Sequence, residues 1–528
     1  MRFGSVVTVV VGAALLVTGC GREEGTDEIG PVDQVTQATV VAADQITAIL
    51  NGPVPSDSAG AASSEPSGSD SPESAVAPSG TATESTSKII APAENTRDTL
   101  TVWLMPEVPG AVVDRVNKLF RKDYPKVDVN VERQDWATIS QLLQERLPDP
   151  ETTPDIVEIA NDTPASLGAE GLIADLDSVR TKLRLAEWTK GLRESVELGD
   201  ELVGVPLYGQ GRVVAYDKAA WKAAGVAEPP RTISEMEASL DKVQSGGVQP
   251  DYSAFWFPGR YWQGALPWIW SDGGELAVPD GDSWVGAVDS SESQAGLLKW
   301  QTLVRKFSRA PADSDETSAS QVKALDDGRA ASALMLPWEV DALTKAHGVF
   351  ALPGESEGAV APQLLEGSDL AVSSASIRQG LAVEWLARFL DDSVQRQLAR
   401  DTKTIPALAS AVSELKGDPV AEIQAKLASV GRTTPPAALW PAVEREQVLP
   451  DMLQAIMTKP GASESPSASV SGGSPSGPVS PSPSAPSTGL SGFPSPSGVP
   501  TASATLPSGP PSLSPSEMAT GSLPTDLP

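Results

Sequence analysis

Residues 100–159 alternate short apolar segments with segments whose apolar residues recur at helical spacing. Strands are predicted at residues 100–104, 127–131 and 155–159, and helices at residues 112–124 and 139–147. This βαβαβ order predicts an α/β fold with a mostly parallel sheet and helices on both of its faces. Because ligands of such sheets bind beyond the carboxyl ends of the strands, the candidate ligand-contacting loops follow Trp103, Val131 and Ile159.

The tryptophans mark the extent of the folded part. All 13 of them lie between Trp103 and Trp440, which places a folded region at about residues 98–459. A region of this length exceeds what one hydrophobic core usually serves, so two lobes are expected. The formal net charge of -30 argues against a nucleic-acid partner, which would require clustered Lys and Arg.

The segments that flank this region are compositionally biased. Residues 20–97 are rich in Ser, Ala, Glu, Thr and Pro, and residues 460–528 are almost wholly Ser, Pro, Gly, Ala and Thr. Both are predicted to be disordered, the first as a tether and the second as a spacer, a carrier of O-glycans or a tail without a specific role. One exception is a set of apolar residues able to line one face of a short helix, namely Val32, Val35, Val40, Ile46, Ile49 and Leu50.

The N-terminus carries one positive charge at Arg2 and a short apolar run at residues 6–17. This run is too short to span a bilayer comfortably and is typical of a signal peptide. The sequence VTGC that ends at Cys20 resembles a bacterial lipobox, which implies a signal peptide at residues 1–19 and a lipid (diacylglycerol, with palmitate-type acylation) on Cys20. An ordinary secretory signal with a chance cysteine is the alternative. Cys20 is the only cysteine, so no intramolecular disulfide is possible.

Several motifs within residues 100–459 occur in the order and spacing of a known family. They are PDIVEIAND at 154–162, GLIADL at 171–176, GVPLY at 204–208 with VAYDK at 214–218, SDGGE at 271–275, and DGRAA at 327–331 before MLPW. In these stretches the chain resembles the extracellular solute-binding proteins of carbohydrate ABC transporters, the class that includes maltose-binding protein. Asp217 replaces the Asn that is usual in the family, a mild departure.

The resemblance implies a two-lobed, type II periplasmic-binding-protein-like fold whose chain crosses between the lobes three times. Lobe 1 is expected at about 98–210 and 368–403, and lobe 2 at about 211–367 and 404–459. It further implies a monomer that captures a sugar outside the cell, held at the membrane by its lipid and working with the permease subunits of an importer.

Polar candidates for the cleft between the lobes follow from the same resemblance. Asp162 occupies the family's sugar-binding acid position with Asn161 beside it, Gln210 stands where an acid is usual, and Glu107 matches a ligand-contacting acid loosely. Carboxylates and amides suit the edge of a sugar because each accepts or shares hydrogen bonds with neighbouring hydroxyls.

Aromatic candidates are Trp338 and Trp440, which match stacking positions of the family, together with Trp262 and Trp136. Tryptophan offers a flat apolar face that suits the C–H surface of a sugar. Other tryptophans are expected in the core, namely Trp103, Trp300 and Trp385. The sequence does not decide between cleft and core for Trp256, Trp268 and Trp270.

Other functions compete with sugar capture. A glycosidase needs two facing carboxylates, which Asp162 and Glu107 would supply, although binding proteins use the same acids for hydroxyls; no enzyme is expected. His347 is the only histidine, so neither a catalytic triad nor a zinc site is expected, and no cofactor is predicted. A polyamine would suit the acids and aromatics, whereas glycerol phosphate would call for cleft Arg or Lys. A cell-wall adhesive role through the Ser/Pro tail is the remaining alternative.

Overall fold

The computed structural model describes residues 30–53, 89–93, 95–247, 249–316 and 320–458. The described strands are β1 (Asp98–Leu104), β2 (Val127–Arg133), β3 (Ile156–Ala160), β4 (Glu197–Leu198), β5 (Glu201–Leu202), β6 (Val205–Gln210), β7 (Val213–Asp217), β8 (Ala277–Asp280), β9 (Ser283–Gly286), β10 (Ser332–Met335), β11 (His347–Phe350), β12 (Glu366–Val372) and β13 (Ile405–Pro406). The described α-helices are α1 (Pro31–Leu50), α2 (Gly110–Asp123), α3 (Trp136–Arg146), α4 (Pro164–Ala169), α5 (Lys190–Arg193), α6 (Lys218–Ala223), α7 (Ile233–Gly246), α8 (Trp262–Ser271), α9 (Ser291–Phe307), α10 (Gln321–Asp326), α11 (Pro337–Asp341), α12 (Gln379–Phe389), α13 (Asp392–Thr402), α14 (Pro419–Leu427), α15 (Trp440–Arg445) and α16 (Val448–Met457). Short 3-10 helices are found at Asp177–Val179, Leu185–Glu187 and Ala409–Glu414.

Lobe 1 is built on a six-stranded sheet of order β13-β6-β12-β3-β1-β2. The strands β2, β1 and β3 are parallel, as the βαβαβ pattern predicts, and β12 runs antiparallel to both β3 and β6. Apolar residues of α2, α12 and α13 pack on one face of the sheet, and those of α3 and α4 pack on the other. The Asp135 side chain accepts from Ala137 N at 2.8 Å and caps α3, which explains why this helix begins before the predicted residue 139.

Lobe 2 has a smaller antiparallel sheet of order β10-β7-β11 and a core rich in aromatic rings. Trp300 is wholly buried there, and Trp268 and Trp270 are each only 6 % exposed within the same core. Trp256 is buried in a third apolar cluster beside β7 and β10. These three undecided tryptophans are therefore core residues in this structure. The prediction that Trp103, Trp300 and Trp385 are core residues is confirmed by their burial.

The chain crosses between the lobes at three places, and hydrogen bonds hold the first two. At the first crossing, Gly211 N donates to Gln424 Oε1 and Gln424 Nε2 donates to Gly211 O, both at 2.8 Å. At the second, Leu365 N donates to the Arg432 carbonyl at 2.8 Å. The third crossing comes later than residue 404, because β13 pairs with β6 and Leu408 lies in the lobe 1 core.

Residues 31–50 form the helix α1 instead of the predicted disordered tether. Its buried side chains join the lobe 2 core, and they are Val35, Ala42, Ala43, Ile46 and Leu50. The exceptional apolar pattern noted in the sequence is thus a docked element, with Val32 and Val40 on its exposed side. Propensity alone seldom stabilises a lone helix in water, so the groove of lobe 2 accounts for its order. The signal peptide, Cys20 and the tail 460–528 lie outside the described residues.

Candidate ligand-binding cleft

The loops that the sequence selected meet at one edge of the lobe 1 sheet. Glu107 follows β1, Asn161 and Asp162 follow β3, and Gln210 ends β6. Glu366 joins them because β12 runs in the opposite direction and pairs with Gln210 at its first residue. The predicted polar candidates of lobe 1 therefore share one edge, and that edge faces lobe 2.

Asp162 is partly buried at this edge, just before α4. Thr163 Oγ1 donates to its Oδ1 at 2.9 Å. Burial raises the pKa of Asp162, and the nearby Glu366 carboxylate raises it further. Its other neighbour is Glu444 of lobe 2, whose pKa is raised well above the usual range by burial and then by the charge of Asp162. Carboxyl groups of the two lobes are therefore close enough to influence each other's charge.

Asn161 has a structural role that the sequence did not reveal. Its side-chain Nδ2 donates to the Leu365 carbonyl at 2.6 Å, and its backbone N–H donates to the Gly367 carbonyl at 3.2 Å. These bonds tie the end of β3 to the second crossing. The amide N–H group of Asn161 is thus used within the protein.

Arg212 lies at the first crossing with no exposed side-chain surface. Its Nη2 donates to Glu366 Oε1 at 2.8 Å and lies 3.4 Å from Glu316 Oε2, and its Nε donates to the Tyr261 hydroxyl. The guanidinium also lies over the Tyr261 ring, 5.1 Å from its centroid. One buried cation thus joins carboxylates from both lobes. Because buried charges are costly to desolvate, the ion pairs with these carboxylates are needed to keep the guanidinium inside the protein.

Trp440 does not present the stacking face expected from the sequence. It has no exposed surface and packs in the lobe 2 core, and its Nε1 donates to Glu444 Oε1 at 2.6 Å. Since Glu444 lies one helical turn later on α15, the indole holds the carboxyl group whose pKa responds to the charge of Asp162. On α15 it is therefore Glu444, and not the Trp440 ring, that interacts with Asp162 of lobe 1.

Trp338 is the predicted aromatic with an open face. It is 49 % exposed at the start of α11. The next residue, Glu339, is buried and accepts from Leu336 N at 2.8 Å. Burial raises the pKa of Glu339 to about 7, and the neighbouring Glu316 adds to this effect. The exposed Trp338 ring is therefore followed in the chain by a member of the carboxylate cluster, the set of carboxyl groups around Arg212 that includes Glu316, Glu339 and Glu366.

The remaining candidates have less distinctive surroundings. Trp262 is partly buried against the lobe 2 core, and Trp136 is partly buried against the apolar cluster under α3. Glu107 is exposed.

A cavity of about 340 Å³ lies away from every predicted site residue. Glu194 of lobe 1 lines one side, and Trp270, Trp284, Glu275 and Arg432 of lobe 2 line the other. Arg432 Nη2 lies 2.7 Å from Glu275 Oε2, and its guanidinium lies 5.1 Å from the Trp270 ring centroid. Arg432 is thus paired with a carboxylate and an aromatic ring beside this cavity.

The sequence missed six members of the cluster, which are Arg212, Tyr261, Glu316, Glu339, Glu366 and Glu444. Three of them had a usable signal, since Glu339 follows Trp338 directly, Tyr261 precedes Trp262 directly, and Glu444 lies four residues after Trp440. In the part of the chain that the structure describes, no group of three or more His, Cys, Asp or Glu side chains is placed to hold a metal ion. No described helix is both long and apolar enough to cross a membrane.

Glu158, below the same edge, should make stability depend on pH. It is wholly buried, accepts from Met105 N at 2.7 Å and Ser368 Oγ at 2.6 Å, and burial raises its pKa to about 7. Between pH 4.5 and 7 the folded state still holds the proton of this carboxyl, whereas the unfolded state has released it. The free energy of unfolding therefore falls as the pH rises through this window.

The Glu158→Gln variant carries an amide that mimics the protonated carboxyl. We expect its free energy of unfolding to fall by roughly 3 kcal/mol less than that of the wild type as the pH rises through this window. Denaturant unfolding of the ligand-free protein at several pH values measures it, with the exposed Glu237→Gln as control. The same pH slope in wild type and Glu158→Gln would refute the expectation.

The comparisons with known proteins agree with this architecture. The model of the family described as bacterial extracellular solute-binding protein matches residues 116–426. The diacetylchitobiose binding protein DasA of Streptomyces coelicolor is 30% identical over 379 residues, which cover 70% of this chain and 86% of that protein. Two solved structures share the two-lobed fold at 20% identity, each with 68% of this chain and 97% of the other covered. They are the sugar-binding protein MalE of Xanthomonas citri (TM-score 0.56) and the maltose-binding MalE of Listeria monocytogenes in complex with maltose (TM-score 0.55).

The family match covers more than half of the chain, and the relative matches over most of its length. Solute-binding proteins capture their ligands without transforming them, which confirms the expectation that the chain is not an enzyme. The family description also agrees with the expected location outside the cell. We conclude that this chain belongs to the bacterial extracellular solute-binding protein family.

Proposed function

We propose that this protein captures an oligosaccharide between its lobes and delivers it to the permease of an ABC importer. The observation that carries the proposal is the interacting pair of carboxyl groups, Asp162 from lobe 1 and Glu444 from lobe 2, together with the exposed ring of Trp338. Carboxylates on both walls suit hydroxyls around a sugar, and the indole suits its C–H face. The likeness to a diacetylchitobiose binding protein supports this class of ligand.

Titration calorimetry with diacetylchitobiose, maltose and longer oligosaccharides tests the proposal. We expect Asp162→Ala to raise the Kd about ten- to hundredfold, because a charged hydrogen-bond acceptor contributes about 1.5–3 kcal/mol. Trp338→Ala should raise the Kd by roughly tenfold through lost stacking. Asp128→Ala, an exposed lobe 1 control, should leave it unchanged. An unchanged Kd for Asp162→Ala would remove this residue from the site.

A cationic solute is the second candidate, because the cluster holds more carboxylates than Arg212 can neutralise. Three carboxyl groups interact with that single guanidinium, namely Glu316, Glu339 and Glu366, and Asp162 and Glu444 in turn interact with Glu366. A polyamine would place ammonium groups among them. A measurable heat of binding with spermidine, together with no heat of binding with any saccharide, would favour a cationic solute over a sugar.

The proposal includes a lipid anchor on Cys20 at the outer face of the cytoplasmic membrane. The apolar run at 6–17 and the small residues before Cys20 support it, together with the extracellular family. A monomer suffices for this role, since both walls of the cleft come from one chain.

A further inference from the structure

The helix α1 is fixed to lobe 2 along its whole length. Its neighbours are β8, β9, α9, α15 and α16, all elements of lobe 2. In its last two turns Ile46 is wholly buried, and Thr47 Oγ1 accepts from Gly286 N at 2.9 Å. A side chain at Gly286 would collide with the Ala43 carbonyl, so the two backbones meet closely.

Polar bonds secure the start of α1 to the end of the fold. Gln34 Nε2 donates to the Thr458 carbonyl at 3.2 Å, and Arg305 Nη2 donates to Gln34 Oε1 at 2.6 Å. From α9, Gln301 Nε2 donates to the Ile456 carbonyl at 2.7 Å. The first turn of α1 and the last turn of α16 therefore lie side by side.

The other end of α1 is pinned as well. Asn51 Nδ2 donates to the Trp284 carbonyl at 2.7 Å, and Trp284 N donates back to Asn51 Oδ1 at 3.1 Å. Because both ends of α1 are bonded to lobe 2, a pull on residue 30 is transmitted to lobe 2.

We propose that the membrane anchor holds this protein by lobe 2 through a short linker, with lobe 1 as the lobe that is free to move. This inference rests on the proposed acylation of Cys20. Only residues 21–30 separate Cys20 from α1, and ten residues reach at most about 36 Å. Lobe 1, by contrast, begins at Asp98 beyond the docked helix.

Two consequences follow for the molecule at the membrane. Lobe closure moves lobe 1 relative to a lobe 2 that stays near the lipid surface. Thr458, the last described residue before the Ser/Pro-rich segment, lies beside the start of α1 because it is bonded to Gln34. The tail therefore starts on the membrane-facing corner of lobe 2.

Energy transfer to a lipid-borne acceptor tests this orientation in the full-length acylated protein. Acylated Cys20 leaves no other cysteine, so a dye attaches only to an introduced one. Two exposed helix positions serve, Ala455→Cys on α16 of lobe 2 and Gln141→Cys on α3 of lobe 1. On phosphatidylglycerol–phosphatidylethanolamine vesicles with a rhodamine lipid, we expect greater transfer from position 455 than from position 141.

Matched insertions separate a lobe 2 anchor from a general tether. About 20 Gly and Ser residues inserted after Gly25 should lower the transfer from position 455, since they lengthen the linker before α1. The same insertion after Gly68, beyond α1, should leave it unchanged. Equal transfer from both labels, or equal loss with both insertions, would overturn the lobe 2 anchor while leaving the lipid anchor in place.

A vesicle flotation assay tests the lipid anchor separately. Protein with Cys20 should float with the vesicles, and Cys20→Ala should not. Failure of the Cys20 protein to float would overturn both the anchor and the orientation, whereas sugar binding measured by calorimetry would be unaffected.

Discussion

Arg212→Met is expected to destabilise the ligand-free protein by about 3–5 kcal/mol. The substitution keeps much of the side-chain volume but leaves Glu366 and Glu316 without the cation that neutralises them between the lobes. Removal of one partner of a buried ion pair is costly because the other charge stays desolvated. Denaturant unfolding monitored by tryptophan fluorescence measures the loss.

Two comparisons isolate the charge effect of Arg212→Met. Arg231→Met removes an exposed arginine of the same lobe whose partners are also exposed, and it should change the free energy of unfolding by less than about 1 kcal/mol. Addition of Glu366→Gln to Arg212→Met should recover part of the loss, since one stranded carboxylate is then neutral. If Arg212→Met unfolds like the wild type, the carboxylates around it are already protonated or solvated.

Ile46→Ala is expected to lower the free energy of unfolding by about 2–5 kcal/mol. Ile46 is wholly buried in the lobe 2 core, so the truncation leaves a cavity between α1 and that core. The matched control Val41→Ala lies on the same helix at a side chain that is 57 % exposed, and it should change stability by no more than about 0.5 kcal/mol. Thermal unfolding of both variants measures the difference.

This comparison also tests where the folded part begins. A fragment that starts near Thr96 lacks α1 and exposes the groove of lobe 2, in contrast to the prediction from composition that residues 20–97 are a disordered tether. Equal melting temperatures for Ile46→Ala, Val41→Ala and the wild type would show that the packing of α1 on lobe 2 does not stabilise the fold.

We expect changes in α1 to alter the affinity for the ligand only indirectly. The helix packs against α15, which carries Glu444, and Gly52 lies close to Leu439 just before Trp440. A loosened α1 would therefore shift the lobe 2 wall of the cleft without touching the ligand. Ile46→Ala should lose more stability than affinity, whereas Asp162→Ala should do the reverse.

The sequence by itself determined the lobe 1 sheet and the edge at which ligand-contacting loops meet. Strand and helix periodicities between residues 100 and 159 are local properties, and the carboxyl ends of parallel strands necessarily share one edge, so local pattern alone assigns Asp162 to that edge. The order of short motifs identified the family for the same reason, since each motif is a local turn or strand end.

Only the tertiary structure decided which of these side chains are exposed and which charges meet. Trp338 and Trp440 both occupy predicted stacking positions, yet one is half exposed and the other is core, because burial depends on segments that pack from far along the chain. Arg212 meets Glu316 and Glu366 across separations of 104 and 154 residues. Likewise, the apolar stripe of α1 became a helix because lobe 2 supplies the groove that covers it, a partner hundreds of residues away that no local pattern encodes.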